Sequence, residues 1–129
     1  VEFFPYVLDE IEKLAQIYEL GCLTNGNADI EMIGIGKFFK FNISSKDVNA
    51  NKPNKNHFQK AVELLGISKE EILHIGDHKI NDMLGAISYG VKALWFNPDK
   101  EDWDLDDIKK PSEFNSWQGV TEKINNFYN

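Results

Sequence analysis

The sequence predicts an α/β protein built on a doubly wound parallel sheet. Three observations carry that prediction. Apolar stretches that read as strands alternate with stretches of helical periodicity. Val91 to Phe96 is a nearly continuous apolar run, as expected where helices cover both faces of a sheet. Polar groups cluster just past two apolar runs, at Leu23-Thr24-Asn25-Gly26 and at Gly76-Asp77-His78-Lys79-Ile80-Asn81-Asp82. The ends of parallel strands are where such a sheet collects its chemistry.

Along the chain, Pro5 suits the first turn of a helix, and Val7, Leu8, Ile11, Leu14, Ala15 and Tyr18 give it one apolar face. Glu19 to Leu23 reads as a short buried strand, broken at Gly26-Asn27. Asn27 can cap a short helix through Ile33, and Gly34 and Gly36 punctuate the stretch after it. Phe41 to Ser44 is a weak strand and Ser45 to Asn51 a polar loop. Asn54 caps a helix with Phe58, Ala61, Val62 and Leu65 on one face, ended by Gly66. Ile72 to Ile75 is a strand, Ile80 to Tyr89 a helix ended by Gly90, and Val91 to Phe96 a strand. An acidic loop comes after Pro98, and Trp117, Val120, Ile124 and Phe127 mark a terminal helix. No repeat or low-complexity tract is present.

At 129 residues the chain is one domain or part of one. Hydrophobic content of 42% with 12% aromatics is that of a folded protein. A net charge of -7 argues against nucleic acid or an anionic membrane as partner, though not against a small anion held by a local Lys and a metal. Cys22 is the sole cysteine, so no disulfide forms within the chain, which fits a reducing, cytoplasmic setting. No apolar run approaches the ~20 residues of a membrane span, and no signal peptide is visible. The chain opens on Val1, as a trimmed product or a segment of something longer would.

A hydroxyl (Thr24), an ammonium (Lys52, before Pro53) and two carboxylates (Asp77, Asp82) all fall at strand–helix junctions. Together they suggest phosphate plus a divalent metal. Mg²⁺ takes oxygen ligands and keeps several waters, so one direct carboxylate and one acting through water would suit it. Thr24 and the N–H groups of Asn25, Gly26 and Asn27 would make an anion cradle. Each signal alone also has a bland reading. Asp77 as a helix cap with Asp82 a solvated first-turn acid fits the same residues, Thr-Asn-Gly-Asn is good turn chemistry, and a lone Lys is usually solvated.

Taken in this order and spacing, the residues resemble the haloacid dehalogenase superfamily of aspartate-nucleophile phosphohydrolases. Thr24 matches the second motif, Lys52 the third, and Gly76-Asp77 with Asp82 the fourth. The resemblance covers roughly residues 5–98. Leu23 to Asp29, Gly76-Asp77-His78 and Ala93 to Pro98 look closest to bacterial sugar-phosphate and flavin-nucleotide phosphatases of that superfamily. It implies a Rossmann-like core, Mg²⁺ as cofactor, a small phosphorylated metabolite as substrate, and an aspartyl-phosphate route. Thr24, Asn25, Gly26 and Lys52 would bind phosphate. Thr24, Lys52 and Asp77 would serve catalysis. Asp77 would ligate the metal directly, and Asp82 would act through water or by orienting Asp77.

The family's first motif, a buried strand ending in Asp-x-Asp-x-Thr or Val, has no counterpart here. Asp104-Leu105-Asp106-Asp107 comes after Asp99-Lys100-Glu101-Asp102-Trp103, which cannot be a buried strand. Asp102, Asp104, Asp106 and Glu113 mimic a calcium loop, but Asp107 stands where such a loop needs Gly, and Pro111 intrudes. The resemblance therefore implies the C-terminal part of a core domain over residues 1–129. Residues 5–18 are the helix that follows the cap, 19–98 hold motifs two to four, and 99–129 are acidic loop and terminal helix. About a hundred residues with the nucleophile strand and cap would precede it. The absent strand would lie between those ending at Thr24 and Asp77, leaving edges open to a complementing segment or to self-association.

His57 and His78 read as helix-surface or loop histidines, His78 placed where it could touch substrate, and His74 as packed or hydrogen-bonded within its strand. Cys22 reads as a core thiol. Trp95, Trp103 and Trp117 read as packing residues. Tyr89 and the Phe38-Phe39 pair read as core or as contacts to the missing part. Two other functions are weighed beside the phosphohydrolase. One is a phosphate- or metal-binding module without turnover, which the absent nucleophile favours. The other is a phospho-accepting receiver, ranked last because its acids precede its Thr and Lys.

Overall fold

The computed structural model describes residues 4–26 and 34–128. The short helix expected from Asn27 to Ile33 lies outside the described residues. The chain divides into two compact units, one from residues 1–22, 28–42 and 116–129, the other from 23–27 and 43–115. β1 (Gly21–Leu23) and β2 (Phe41–Ile43) form a two-stranded sheet. A Cβ at Gly21 would strike the Phe41 ring, so this strand needs glycine for its partner to pack. β1 is less covered than expected, with Gly21 exposed and Cys22 half-buried, so Cys22 is not a core thiol.

In the first unit α1 (Val7–Ile17) buries Glu10, Ile11 and Leu14 on one face. It packs on α5 (Val120–Tyr128), which buries Val120, Thr121 and Ile124. The Glu10 carboxylate accepts from the Thr121 N–H at 2.8 Å, and the Thr121 hydroxyl donates to the Glu10 carbonyl at 3.2 Å. Two residues expected on the apolar face of the last helix fall elsewhere. Trp117 precedes it, and Phe127 is 67% exposed because it sits off the stripe set by Val120 and Ile124.

The second unit holds a parallel three-stranded sheet in the order β3 (Leu73–Gly76), β4 (Lys92–Phe96), β5 (Ser112–Phe114). His74 lies beside Ala93 and Gly76 beside Trp95, and Phe96 lies beside Phe114. α3 (Asn56–Leu65) and α4 (Gly85–Tyr89) bring Phe58 and Ala86 into a core with Val91, against which Leu23, Ile72, Tyr89 and Ala93 pack. On its other edge β3 has no strand neighbour among the described residues, and β1 pairs only with β2. All four residues of β3 are only half-buried.

The fold class stands as the sequence predicts, with local differences. The stretch expected as a polar loop after β2 forms a helical turn, α2 (Ser45–Val48), because Ser44 and Asp47 make a reciprocal capping box. β5 arises in what reads as loop. Three residues are too few for strand periodicity to register, and the strand is held by Phe114 burying against Phe96 and by Glu113 pairing with Lys110. The Asn54 carboxamide accepts from the Asn56 N–H at 2.9 Å, as a cap should, although the helix boundary falls at Lys55. The helix expected from Ile80 begins instead as a π-helical turn, Lys79–Leu84, running directly into α4. The His78 carbonyl accepts from both the Asp82 and Met83 N–H groups, which widens the turn by one residue.

Candidate active site

The site starts from the two loops that come after β1 and β2. The Asn25 side chain grips the main chain of Lys52 at both ends. Its Oδ1 accepts from the Lys52 N–H at 2.7 Å, and its Nδ2 donates to the Lys52 carbonyl at 3.1 Å. The Lys52–Pro53 peptide is cis. Lys52 is 8% exposed, and its ammonium donates to the Leu23 carbonyl at 3.3 Å and to Asp82 Oδ1 at 2.5 Å. The solvated lysine that the sequence allowed is thus a buried one, held from both its backbone and its tip.

Asp82 is buried and fully engaged. Oδ1 accepts from Lys52 and lies 3.0 Å from His74 Nε2, while Oδ2 accepts from the His78 N–H at 3.1 Å. Burial alone would push this carboxyl pKa up. The hydrogen bonds from His74 and Lys52, with the Lys52 charge, outweigh burial and hold it well below the usual carboxylate range. Residue 76 must be glycine, since a Cβ there would collide with the Asp82 carboxylate. His74 shares a strand face with Gly76, two residues on, which is why it reaches the same carboxylate.

Asp77 contrasts with Asp82. It is exposed, and its carboxylate makes no hydrogen bond among the described residues. Its backbone is anchored, because the fully buried Trp95 donates its indole N–H to the Asp77 carbonyl at 3.0 Å. The helix cap is His78, not Asp77. Its Nδ1 accepts from the Ile80 and Asn81 N–H groups at 3.2 and 3.0 Å.

The Thr24 hydroxyl donates to the Gly26 carbonyl at 2.8 Å, closing the turn after β1. The N–H groups of Asn25 and Gly26 have no acceptor among the described residues; Asn27 lies outside them. His57 is not on the helix surface, as its sequence context suggested. It is 0% exposed, with Nε2 2.7 Å from the Thr24 carbonyl and Nδ1 without a partner among the described residues. Burial, with the Lys52 charge adding to it, pulls its pKa down despite the bond to Thr24.

Asp77 is the group that suits a hard divalent cation. It offers a free carboxylate on an anchored backbone, and Mg²⁺ is commonly held by one or two carboxylates with water and phosphate completing its shell. Asp82 is more heavily committed: its Oδ1 is shared by Lys52 and His74, and its Oδ2 already accepts from the His78 N–H. No cluster of three or more His, Cys, Asp or Glu side chains forms a metal cage among the described residues, the calcium-like acidic stretch included. There Asp104 pairs with Lys79, and Glu113 with Lys110 and Asn97.

Asn25, Lys52 and Asp82 are thus joined by direct bonds, Thr24 adjoins Asn25 in the chain, and Asp77 opens the loop that Asp82 closes. A model of haloacid dehalogenase-like hydrolases matches residues 1–96. The chain belongs to that family. It is 36% identical over 100 residues, 74% of its length, to the 5-amino-6-(5-phospho-D-ribitylamino)uracil phosphatase YigB of Escherichia coli. Its fold superposes on a 2-haloacid dehalogenase of Pseudomonas syringae with a TM-score of 0.92 and 32% identity, over 98% of this chain. It also superposes on the putative hydrolase YfnB of Bacillus subtilis, a structure bound to magnesium, with a TM-score of 0.84 and 28% identity over 93% of this chain. The chain spans 42% of the length of the phosphatase and 55% of each of the two solved structures.

Proposed function

We propose that the protein containing this chain is a Mg²⁺-dependent phosphohydrolase of small phosphate monoesters, acting through an aspartyl-phosphate. The observation that carries the reading is Lys52. An ammonium is held buried against Asp82, on the segment tied to the Thr24 turn, where two N–H groups have no acceptor among the described residues. A buried cation on a segment tied to a turn whose N–H groups lack acceptors among the described residues is chemistry for an anion.

In this reading the Asn25 and Gly26 N–H groups hold phosphoryl oxygens. The Thr24 hydroxyl turns its proton from the Gly26 carbonyl to the same group. Lys52 supplies counter-charge to the oxygens as negative charge builds. Asp82 fixes the Lys52 ammonium and, through the His78 N–H, the loop that carries Asp77. Asp77 would ligate Mg²⁺, which when bound neutralises charge on the transferring group. The attacking aspartate would come from a strand that these 129 residues do not contain, and the edges of β1 and β3 that have no strand neighbour among the described residues are where such a segment would pair. The phosphatase name of the Escherichia coli relative and the magnesium in the Bacillus subtilis structure support this reading. The lone cysteine fits a cytoplasmic setting; among the described residues no helix is long and apolar enough to cross a membrane.

The alternative is a phosphate- or metal-binding piece that works only with a complementing chain, which the lack of an Asp-x-Asp strand favours. The test is phosphate release from a panel of sugar and nucleotide monophosphates by the natural gene product, with and without Mg²⁺. Mg²⁺-dependent release supports hydrolysis. A folded product that binds inorganic phosphate yet releases none from any monoester supports the binding role. A product that does neither overturns both.

A further inference from the structure

We propose that His57 is a positioning residue for the phosphate-binding turn: by holding the Thr24 carbonyl it sets the direction of the Asn25 N–H. The inference rests on the phosphate reading above and extends it to a residue the family motifs do not contain.

Peptide geometry couples the two groups. The Thr24 carbonyl and the Asn25 N–H belong to one peptide plane and point in opposite directions across it. Whatever fixes the oxygen fixes the N–H. His57 Nε2 lies 2.7 Å from that oxygen. A carbonyl only accepts, so Nε2 carries the proton, and neutral His57 has its Nδ1 bare. The ring is fully buried on α3, five residues past Lys52, so it cannot swing away into water. From the other side of the turn, the Asn25 amide clasps the Lys52 main chain.

The two loops therefore hold each other reciprocally. A side chain of the Thr24–Asn25 turn grips the backbone at Lys52, and a side chain just beyond Lys52 grips the backbone at Thr24. The ammonium and the N–H cradle are locked in one relation before any phosphate arrives, and preorganised donors of this kind cost no rearrangement when charge develops.

Burial also fixes the protonation state. A second proton would go on Nδ1, which has no acceptor among the described residues. Lys52 and His74 oppose that added charge and Asp47 favours it, and with the burial of the ring the neutral form wins. His57 thus stays a neutral donor with a defined tautomer, which is what a fixed carbonyl anchor requires.

The test uses the natural gene product as wild type, His57→Gln and His57→Leu. Glutamine keeps a donor at about the reach of Nε2; leucine keeps bulk and removes the donor. The measurements are KM and kcat for a hydrolysed monoester, inhibition by inorganic phosphate, and the backbone amide signal of Asn25 during phosphate titration. Loss of one hydrogen bond to a buried carbonyl predicts about a tenfold rise in KM and in the phosphate inhibition constant for His57→Leu. It also predicts a much smaller change in kcat and a weakened Asn25 amide response. His57→Gln should recover most of the affinity. A merely structural role would instead lower the active fraction and leave KM alone. Wild-type KM and phosphate inhibition in His57→Leu, or glutamine as damaging as leucine, overturns the proposal. Should His57→Leu fail to fold, imidazole NMR of the wild type decides: Nε2 protonated and Nδ1 bare at neutral pH supports it, and the opposite tautomer ends it. An active wild type with indifferent His57 variants defeats this inference alone. A wild type that neither hydrolyses monoesters nor binds phosphate defeats the phosphate reading, and this inference with it.

Discussion

Glu10 in the first unit and Asp82 in the second are both buried acids, 3% and 6% exposed, yet they are kept charged by different partners. Glu10 accepts from the Thr121 N–H in the first turn of α5 and from Lys13, an ammonium that stays largely in water. Donors of that kind are cheap: an orphan N–H at a helix start needs an acceptor anyway, and a surface lysine surrenders little hydration. Asp82 instead draws in Lys52, itself buried, together with His74 and the His78 N–H. Burying a second charge to satisfy the first is a poor route to stability, since an apolar pair of similar size often does as well. Glu10 is therefore explained by packing α1 on α5. Asp82 is explained only if the ammonium has to be where it is.

The largest effect that sharpens this contrast is Asp82→Ala. It strands a buried ammonium, and the expected loss is about 3–5 kcal/mol of unfolding free energy, read by denaturant titration, with loss of phosphate release. Replacing both partners, Lys52→Met with Asp82→Leu, should recover much of that stability while leaving no phosphate affinity. Recovery of both would break the argument that Lys52 is placed for an anion.

Glu10→Ala should cost less, about 1–3 kcal/mol for a helix-start N–H left without its acceptor. Phosphate affinity should stay at the wild-type value. A matching drop in affinity at full folding would show that the two acids do not divide the work as described.

Acid unfolding gives the next contrast. The Asp82 carboxyl is held below its ordinary range in the fold. As the pH falls below about 4, the unfolded chain takes up this proton first, and stability falls with it. The contribution is complete above that pH and is lost toward the folded-state pKa. In Asp82→Ala this part of the acid slope should be missing from stability measured against pH. His57 acts with the same sign in a higher window: its pKa is lowered by burial, so the unfolded chain protonates first below about 6.5. A plot that stays flat through both windows would contradict the pairing of Asp82 and the burial of His57.

How much of this was legible in the sequence depends on which contacts are local. Thr24, Lys52, Asp77 and Asp82 could be placed because each ends a strand or opens a helix, and strand ends show in the hydropathy pattern. The fold class was legible for the same reason. The roles within the site were not. Asp77 and Asp82 look alike in a motif, and only packing against Gly76 and Lys52 buries one and leaves the other in water. His57 meets an acceptor 33 positions away, so nothing nearby marks it as buried. His74 left a signal that could have been read, since it lies two residues before Gly76 on the same strand face. The π-helical turn leaves none, because it depends on the His78 carbonyl accepting twice.

The central claim is that one loop carries two acids with separate duties, Asp82 holding the lysine and Asp77 facing the metal. Asp77→Asn tests it most directly, with Mg²⁺ titrated against phosphate release by the natural gene product and unfolding followed in parallel. The account predicts an unfolding free energy within about 0.5 kcal/mol of wild type, because the Asp77 carboxylate bonds to nothing among the described residues, together with loss of the Mg²⁺ response. Release that still tracks Mg²⁺ with the wild-type midpoint would contradict it.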